Sequence, residues 1–164
     1  MTHDLTAGTS NKAQDVPAIL PFPQKNFRVF HINDSTDDQV LFQAACQKGG
    51  IPFNWHVTDS AEKGISYLKT LVEHSDTIPV CWPDLVLLDL VMPIVNGFEV
   101  LKFIRATNEL KHLPVIVFTG DTFPSSKADA LKFGASAFMI KPQGFSEAVI
   151  LARELYNLFL ALRQ

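Results

Sequence analysis

Residues 83 to 97 read Pro83-Asp84-Leu85-Val86-Leu87-Leu88-Asp89-Leu90-Val91-Met92-Pro93-Ile94-Val95-Asn96-Gly97. Leu85–Leu88 is a short unbroken apolar run between turn formers. That suits a strand buried on both faces of a parallel sheet. The run ends in a carboxylate, Asp89. Met92-Pro93 and Asn96-Gly97 then interrupt the chain, and Phe98, Val100, Leu101 and Ile104 recur at helical spacing. Open α/β sheets carry ligand chemistry beyond the C-terminal ends of their strands. A carboxylate there costs free energy unless a cation or hydrogen-bond donors stabilise it. A helix cap or a satisfied acid at the edge of the core is the competing reading of Asp89.

The same grammar repeats on both sides of this stretch. Before it, strands are expected at Phe27–Ile32 and Phe53–Val57. A helix from about Asp37 to Lys48 is stopped by Gly49-Gly50, and a second runs through Ile65, Leu68, Leu71 and Val72. Asp59 and Glu62 have the spacing of a capping box. After it, Pro114–Phe118 and Ala137–Ile140 read as strands. Pro124 suits the first position of the helix between them. A last helix is expected from about Ser146 to Leu162. Apolar strands alternating with helices imply a doubly wound, mostly parallel α/β sheet with helices on both faces. Residues 1–25 are polar and mixed, and are expected to be a flexible tail, with Ile19, Leu20 and Phe22 as local docking points.

Composition narrows the function. The 164 residues are 47% hydrophobic and 19% charged, as in a globular chain. The formal net charge of −3, without a basic run, argues against nucleic-acid binding. Two cysteines, Cys46 and Cys81, are too few for a disulfide framework or zinc site and are expected as reduced thiols of a cytoplasmic protein. No apolar run reaches membrane-spanning length.

The first strand ends in Asn33-Asp34, the third in Asp89, the fourth in Thr119 and the fifth in Lys141. Parallel strands bring these ends to one edge. Two neighbouring carboxylates repel unless a cation lies between them, and Mg²⁺ is commonly held by one or two carboxylates with waters and phosphate oxygens. A lysine and a hydroxyl opposite suit phosphoryl oxygens. The set fits phosphoryl transfer to a carboxylate nucleophile.

On Ile32-Asn33-Asp34-Ser35, Pro83–Pro93, Pro114–Gly120 and Gly134–Pro142 the chain resembles the receiver domain of two-component response regulators, from about Phe27 to Leu162. The long loop before Pro83 and the lack of an output domain are similar to stand-alone receivers associated with phytochrome-type kinases. The resemblance implies a flavodoxin-like five-stranded sheet in the order 2-1-3-4-5, with residues 26–164 as the receiver domain. It implies that Asp89 accepts a phosphoryl group from a phosphohistidine of a sensor histidine kinase or phosphotransfer protein. It further implies Mg²⁺ on Asp34, Asp89 and the backbone carbonyl of Val91. Thr119 and Lys141 would hold phosphoryl oxygens. The Lys141–Pro142 bond would be of a kind that is cis in many members. Thr119 and Phe138 would form a switch that changes the face of helix four, strand five and helix five for an unknown downstream protein. Such a domain is a phosphoacceptor and not a turnover enzyme.

The chain departs from that pattern at several places. Asn33 stands where the family usually has a first acid, which predicts weaker Mg²⁺ affinity and leaves Asn33 to reach the metal through water. Phe138 lacks the hydroxyl of the usual tyrosine. Val91 cannot orient a hydrolytic water, whereas Asp121 could. In the last helix, Leu151, Leu155, Leu158 and Leu162 form a second apolar row, read either as part of one wide core face or as a homodimer surface. Among rival functions, a haloacid-dehalogenase-like phosphatase needs an acid at Val91, and a flavin protein needs a phosphate loop after strand one. A pseudo-receiver that never carries phosphate is favoured by Asn33 and opposed by Asp34, Asp89, Thr119 and Lys141.

Overall fold

The computed structural model describes residues 26–77 and 81–164. The expected tail and its docking points Ile19, Leu20 and Phe22 lie outside the described residues. Five strands alternate with five helices: β1 (Phe27–Ile32), α1 (Thr36–Lys48), β2 (Phe53–Thr58), α2 (Ala61–His74), β3 (Leu85–Leu88), α3 (Gly97–Ala106), β4 (Val115–Thr119), α4 (Pro124–Lys132), β5 (Ala137–Ile140) and α5 (Phe145–Leu162). The sheet is parallel in the order β2-β1-β3-β4-β5, as expected.

β3 is buried at all four positions because it is covered on both faces. Side chains alternate across a strand, so Leu85 and Leu87 join Val29, Phe42, Phe118, Leu155 and Phe159 on one face. Val86 and Leu88 join Phe30, Ile32, Leu68, Val100, Leu101 and Ile104 on the other. Cys46 is buried and Cys81 exposed, and neither is in a disulfide. No described helix is long and apolar enough to cross a membrane.

Two local expectations are corrected, and one pair of open readings is narrowed. Asp59 and Glu62 do not form a capping box. Ser60 caps α2 by accepting from the Lys63 amide (3.2 Å), and Asp59 pairs with the Lys63 ammonium one helical turn on. Of the two readings of the α5 leucine row, the single wide core face is the one observed. Leu155 is fully buried, Leu151 and Leu158 pack against the same core, and only Leu162 is exposed. A helix packed against both α1 and one face of the sheet buries a wide stripe, so both apolar rows fall into one core face. Finally, no peptide bond is cis among the described residues. Lys141 is aimed instead by the bond from its amide to the Thr119 carbonyl (2.9 Å) and by its side-chain partners.

Candidate functional site

The parallel ladders set the site. The Asn33 amide bonds the Thr58 carbonyl (3.1 Å), the Asp89 amide bonds the Ile32 carbonyl (3.0 Å), and the Lys141 amide bonds the Thr119 carbonyl. Each strand therefore delivers its terminal polar residue to the same edge. The bend after β3 is held by Gly97, whose position admits no side chain: a Cβ there would come 2.1 Å from the Asp89 carbonyl oxygen. Asn96 caps α3 through the Glu99 amide. A sharp turn thus follows Asp89, whose buried side chain helps line a cleft of about 630 Å³ together with Asp34, Asp38, Val91, Asp121 and Lys141.

Lys141 is the centre of the polar contacts. Its Nζ donates to Asp89 Oδ2 (2.6 Å), to Asp38 Oδ2 (2.7 Å) and, more weakly, to Asn33 Oδ1 (3.4 Å). Burial pulls this ammonium towards neutrality. The hydrogen bonds to Asp38 and Asp89 and the charges behind them outweigh it and hold the lysine above its ordinary pKa. Burial by itself would raise the Asp38 carboxyl, but the Lys141 bond and charge keep it below its usual range. The other oxygen of Asp89, Oδ1, accepts from the Val91 amide (3.2 Å).

Asp34 lines the same cleft, and its carboxylate has no hydrogen-bond or ion-pair partner among the described residues. An unpaired carboxylate facing a second one across an open cleft is a donor set that suits a hard divalent cation. Asp34, Asp89 and the Val91 backbone thus fit Mg²⁺. No cage of three or more His, Cys, Asp or Glu side chains is assembled among the described residues, so any ion would complete its shell with waters or phosphate oxygens.

The remaining expected residues differ in place: Asp121 lines the cleft and Asn33 touches Lys141, whereas Thr119 and Phe138 are not part of the cleft lining. Thr119 is fully buried, does not line the cleft, and accepts the Asp121 amide at its hydroxyl (3.3 Å). Phe138 is half-buried against Leu90, Val117 and Ala130. Asn33 is fully buried, and its Oδ1 also accepts the Ser35 amide (3.0 Å). The Asp121 carboxylate is engaged at the start of α4. Its bonds from the Ser126 hydroxyl (2.5 Å) and the Phe123 amide (2.8 Å) hold it below the ordinary carboxylate range.

Two residues at the site were not found in the sequence. Asp38 reads there as one of two acids complementing the helix dipole in the first turn of α1. Its spacing of four from Asp34 was the available signal. Gln39, next to it, carried no signal in the sequence. It is buried, and its amide donates to the carbonyls of Asn33 (2.7 Å) and Thr58 (3.0 Å), fastening α1 to the ends of β1 and β2.

A family profile described as the response regulator receiver domain matches residues 30–153. The "Two-component response regulator ORR1" of Oryza sativa subsp. japonica is 32% identical over 117 residues, covering 70% of this chain and 49% of that protein. The "Polar-differentiation response regulator DivK" of Brucella anthropi is 28% identical over 114 residues, covering 70% and 83%. The chain thus spans about half the length of the plant relatives it matches. Among solved structures, the phosphorylated cyanobacterial phytochrome response regulator RcpA superposes with a TM-score of 0.72 at 23% identity, over 84% of this chain and 96% of that one. The Mn(2+)-bound form of response regulator Rcp1 gives 0.67 at 21% identity, over 79% and 91%. At these identities the structural likeness speaks for the fold alone.

Proposed function

This chain belongs to the response regulator receiver domain family, and from that premise we propose that Asp89 is its phosphoacceptor. A carboxylate oxygen of Asp89 attacks the phosphorus of a phosphohistidine on a sensor kinase or phosphotransfer protein. The phosphorus–oxygen bond forms as the phosphorus–nitrogen bond breaks, and the donor imidazole takes up a proton. Lys141, already on Asp89, binds the transferred phosphoryl oxygens, where a fixed ammonium offsets developing charge. Asp34, Asp89 and the carbonyl of Val91 would hold Mg²⁺, with Asn33 acting at most through water. When bound, Mg²⁺ neutralises phosphoryl charge beside the nucleophile.

Thr119 reaches the phosphoryl group by giving up its bond from the Asp121 amide. Phe138 follows into the space so opened, which biases the face formed by α4, β5 and α5 towards a downstream protein. The chain is on this reading a signalling phosphoacceptor, with self-catalysed transfer and dephosphorylation as its only chemistry.

One observation carries the proposal: the Lys141 ammonium lies 2.6 Å from Asp89, across a cleft from the unpartnered Asp34. Incubation with acetyl phosphate and Mg²⁺, followed by intact mass, tests it. One phosphoryl adduct on the native chain, absent from Asp89→Asn, is expected. A native chain that stays unmodified would make this a pseudo-receiver that works by binding alone.

A further inference from the structure

Asp38 lies outside the set of strand-end residues that carries the proposed chemistry, yet it makes one of the two shortest contacts to Lys141. An ammonium has three protons to donate. Here their acceptors are Asp89 Oδ2, Asp38 Oδ2 and Asn33 Oδ1. The first two are charged and short, and the third is neutral and long. Asp38 and Asp89 thus grip the lysine from two elements, the first turn of α1 and the end of β3.

The neighbouring position on β1 is the fully buried and neutral Asn33. An ionised side chain in that place would bear a full desolvation cost. The Asp38 side chain is 43% exposed and stands at the positive end of α1, where negative charge is favoured. The same unit of charge is therefore cheaper to keep on Asp38. Its carboxylate is paired with the lysine at 2.7 Å.

We propose that Asp38 is a positioning residue of this site: it anchors the Lys141 ammonium beside the phosphoacceptor and returns to the cleft the negative charge that Asn33 lacks. This rests on Asp89 being the phosphoacceptor. Once one oxygen of Asp89 is esterified, that residue's hold on Lys141 weakens. Asp38 still binds one proton of the ammonium and leaves the other two for phosphoryl oxygens. Without Asp38 the lysine depends on the group it must release during transfer.

The test compares the native chain with Asp38→Asn, Asp38→Glu and the charge relocation Asn33→Asp/Asp38→Asn. In metal-free protein, the Lys141 ammonium protons are followed by ¹⁵N NMR. They are expected to be visible in the native chain and Asp38→Glu, and lost to solvent exchange in Asp38→Asn. Calorimetric titration with Mg²⁺ is expected to give a Kd roughly tenfold higher for Asp38→Asn, the scale of one screened charge near a divalent ion. The relocated charge should restore it to within about twofold. Acetyl phosphate labelling should slow about tenfold in Asp38→Asn at saturating Mg²⁺, the cost of a loosened lysine. A native chain that takes phosphate, beside an Asp38→Asn variant with native ammonium signal, Kd and labelling rate, overturns the role of Asp38 and leaves Asp89 in place. A native chain that takes no phosphate overturns the phosphoacceptor reading, and with it this one.

Discussion

His31 sits on β1 near the rings of Trp55 and Phe118, fully buried, with no hydrogen-bond partner for either ring nitrogen among the described residues. Burial chiefly, with Lys141 adding to it and Asp38 opposing, lowers its pKa from 6.5 to about 3. The unfolded chain then binds a proton between those values that the folded chain refuses. The stability His31 contributes is whole above pH 6.5 and is lost as pH falls towards 3, at up to about 1.4 kcal/mol per pH unit. Urea unfolding at pH 7 and pH 4.5 checks this: His31→Leu should lose about 2 kcal/mol less over the interval than the native chain. Equal losses in both would mean that other groups govern the acid limb. Asp38 and Gln39 teach a related lesson at this scale. Both are polar residues of an N-terminal helical turn, and only their distant partners distinguish them from solvated surface.

The segment between β3 and α3 matters most among the elements, since it turns the chain away directly after the buried Asp89. Gly97 must be glycine because the Asp89 carbonyl occupies the space of a side chain. Ile94 fits its place badly. It is 96% exposed and adopts φ 67°, a left-handed conformation that β-branched residues resist. Asparagine tolerates that conformation, and nothing buried is lost on replacing so exposed a side chain. Ile94→Asn is therefore expected to stabilise the fold by about 0.5–1 kcal/mol in urea unfolding. A destabilised variant would show that the isoleucine makes a contact worth more than its strain. α5 shows the opposite relation between pattern and place. Its two apolar rows are plain in the sequence, but whether they face one surface or two depends on how the helix lies on the sheet.

Across the whole molecule the packing is uneven. β1, β3 and β4 are covered on both faces by the two large apolar clusters. The α4–β5 side rests on a small third cluster of Leu90, Val117 and Ala130. α4 buries only Ala130 and has no side-chain cap, and β5 has no fully buried residue. Thin packing marks the part of a fold that opens at low cost. Amide exchange should therefore be faster in α4 and β5 than in β3 and β4, with the difference visible at native pH. Uniform protection would contradict a locally soft face beside Thr119 and Phe138. The element order, the parallel sheet and the gathering of Asp34, Asp89 and Lys141 at one edge could all be read in advance. Apolar period and turn residues are local signals, and parallel strands by their geometry end on one side. What only the tertiary structure decided was Asp38 on Lys141, 103 residues apart, Leu155 in the core, and the Thr119 hydroxyl buried on the Asp121 amide. Those depend on the angle at which helices meet the sheet and on competition among buried donors and acceptors, neither of which is encoded in any short stretch of chain.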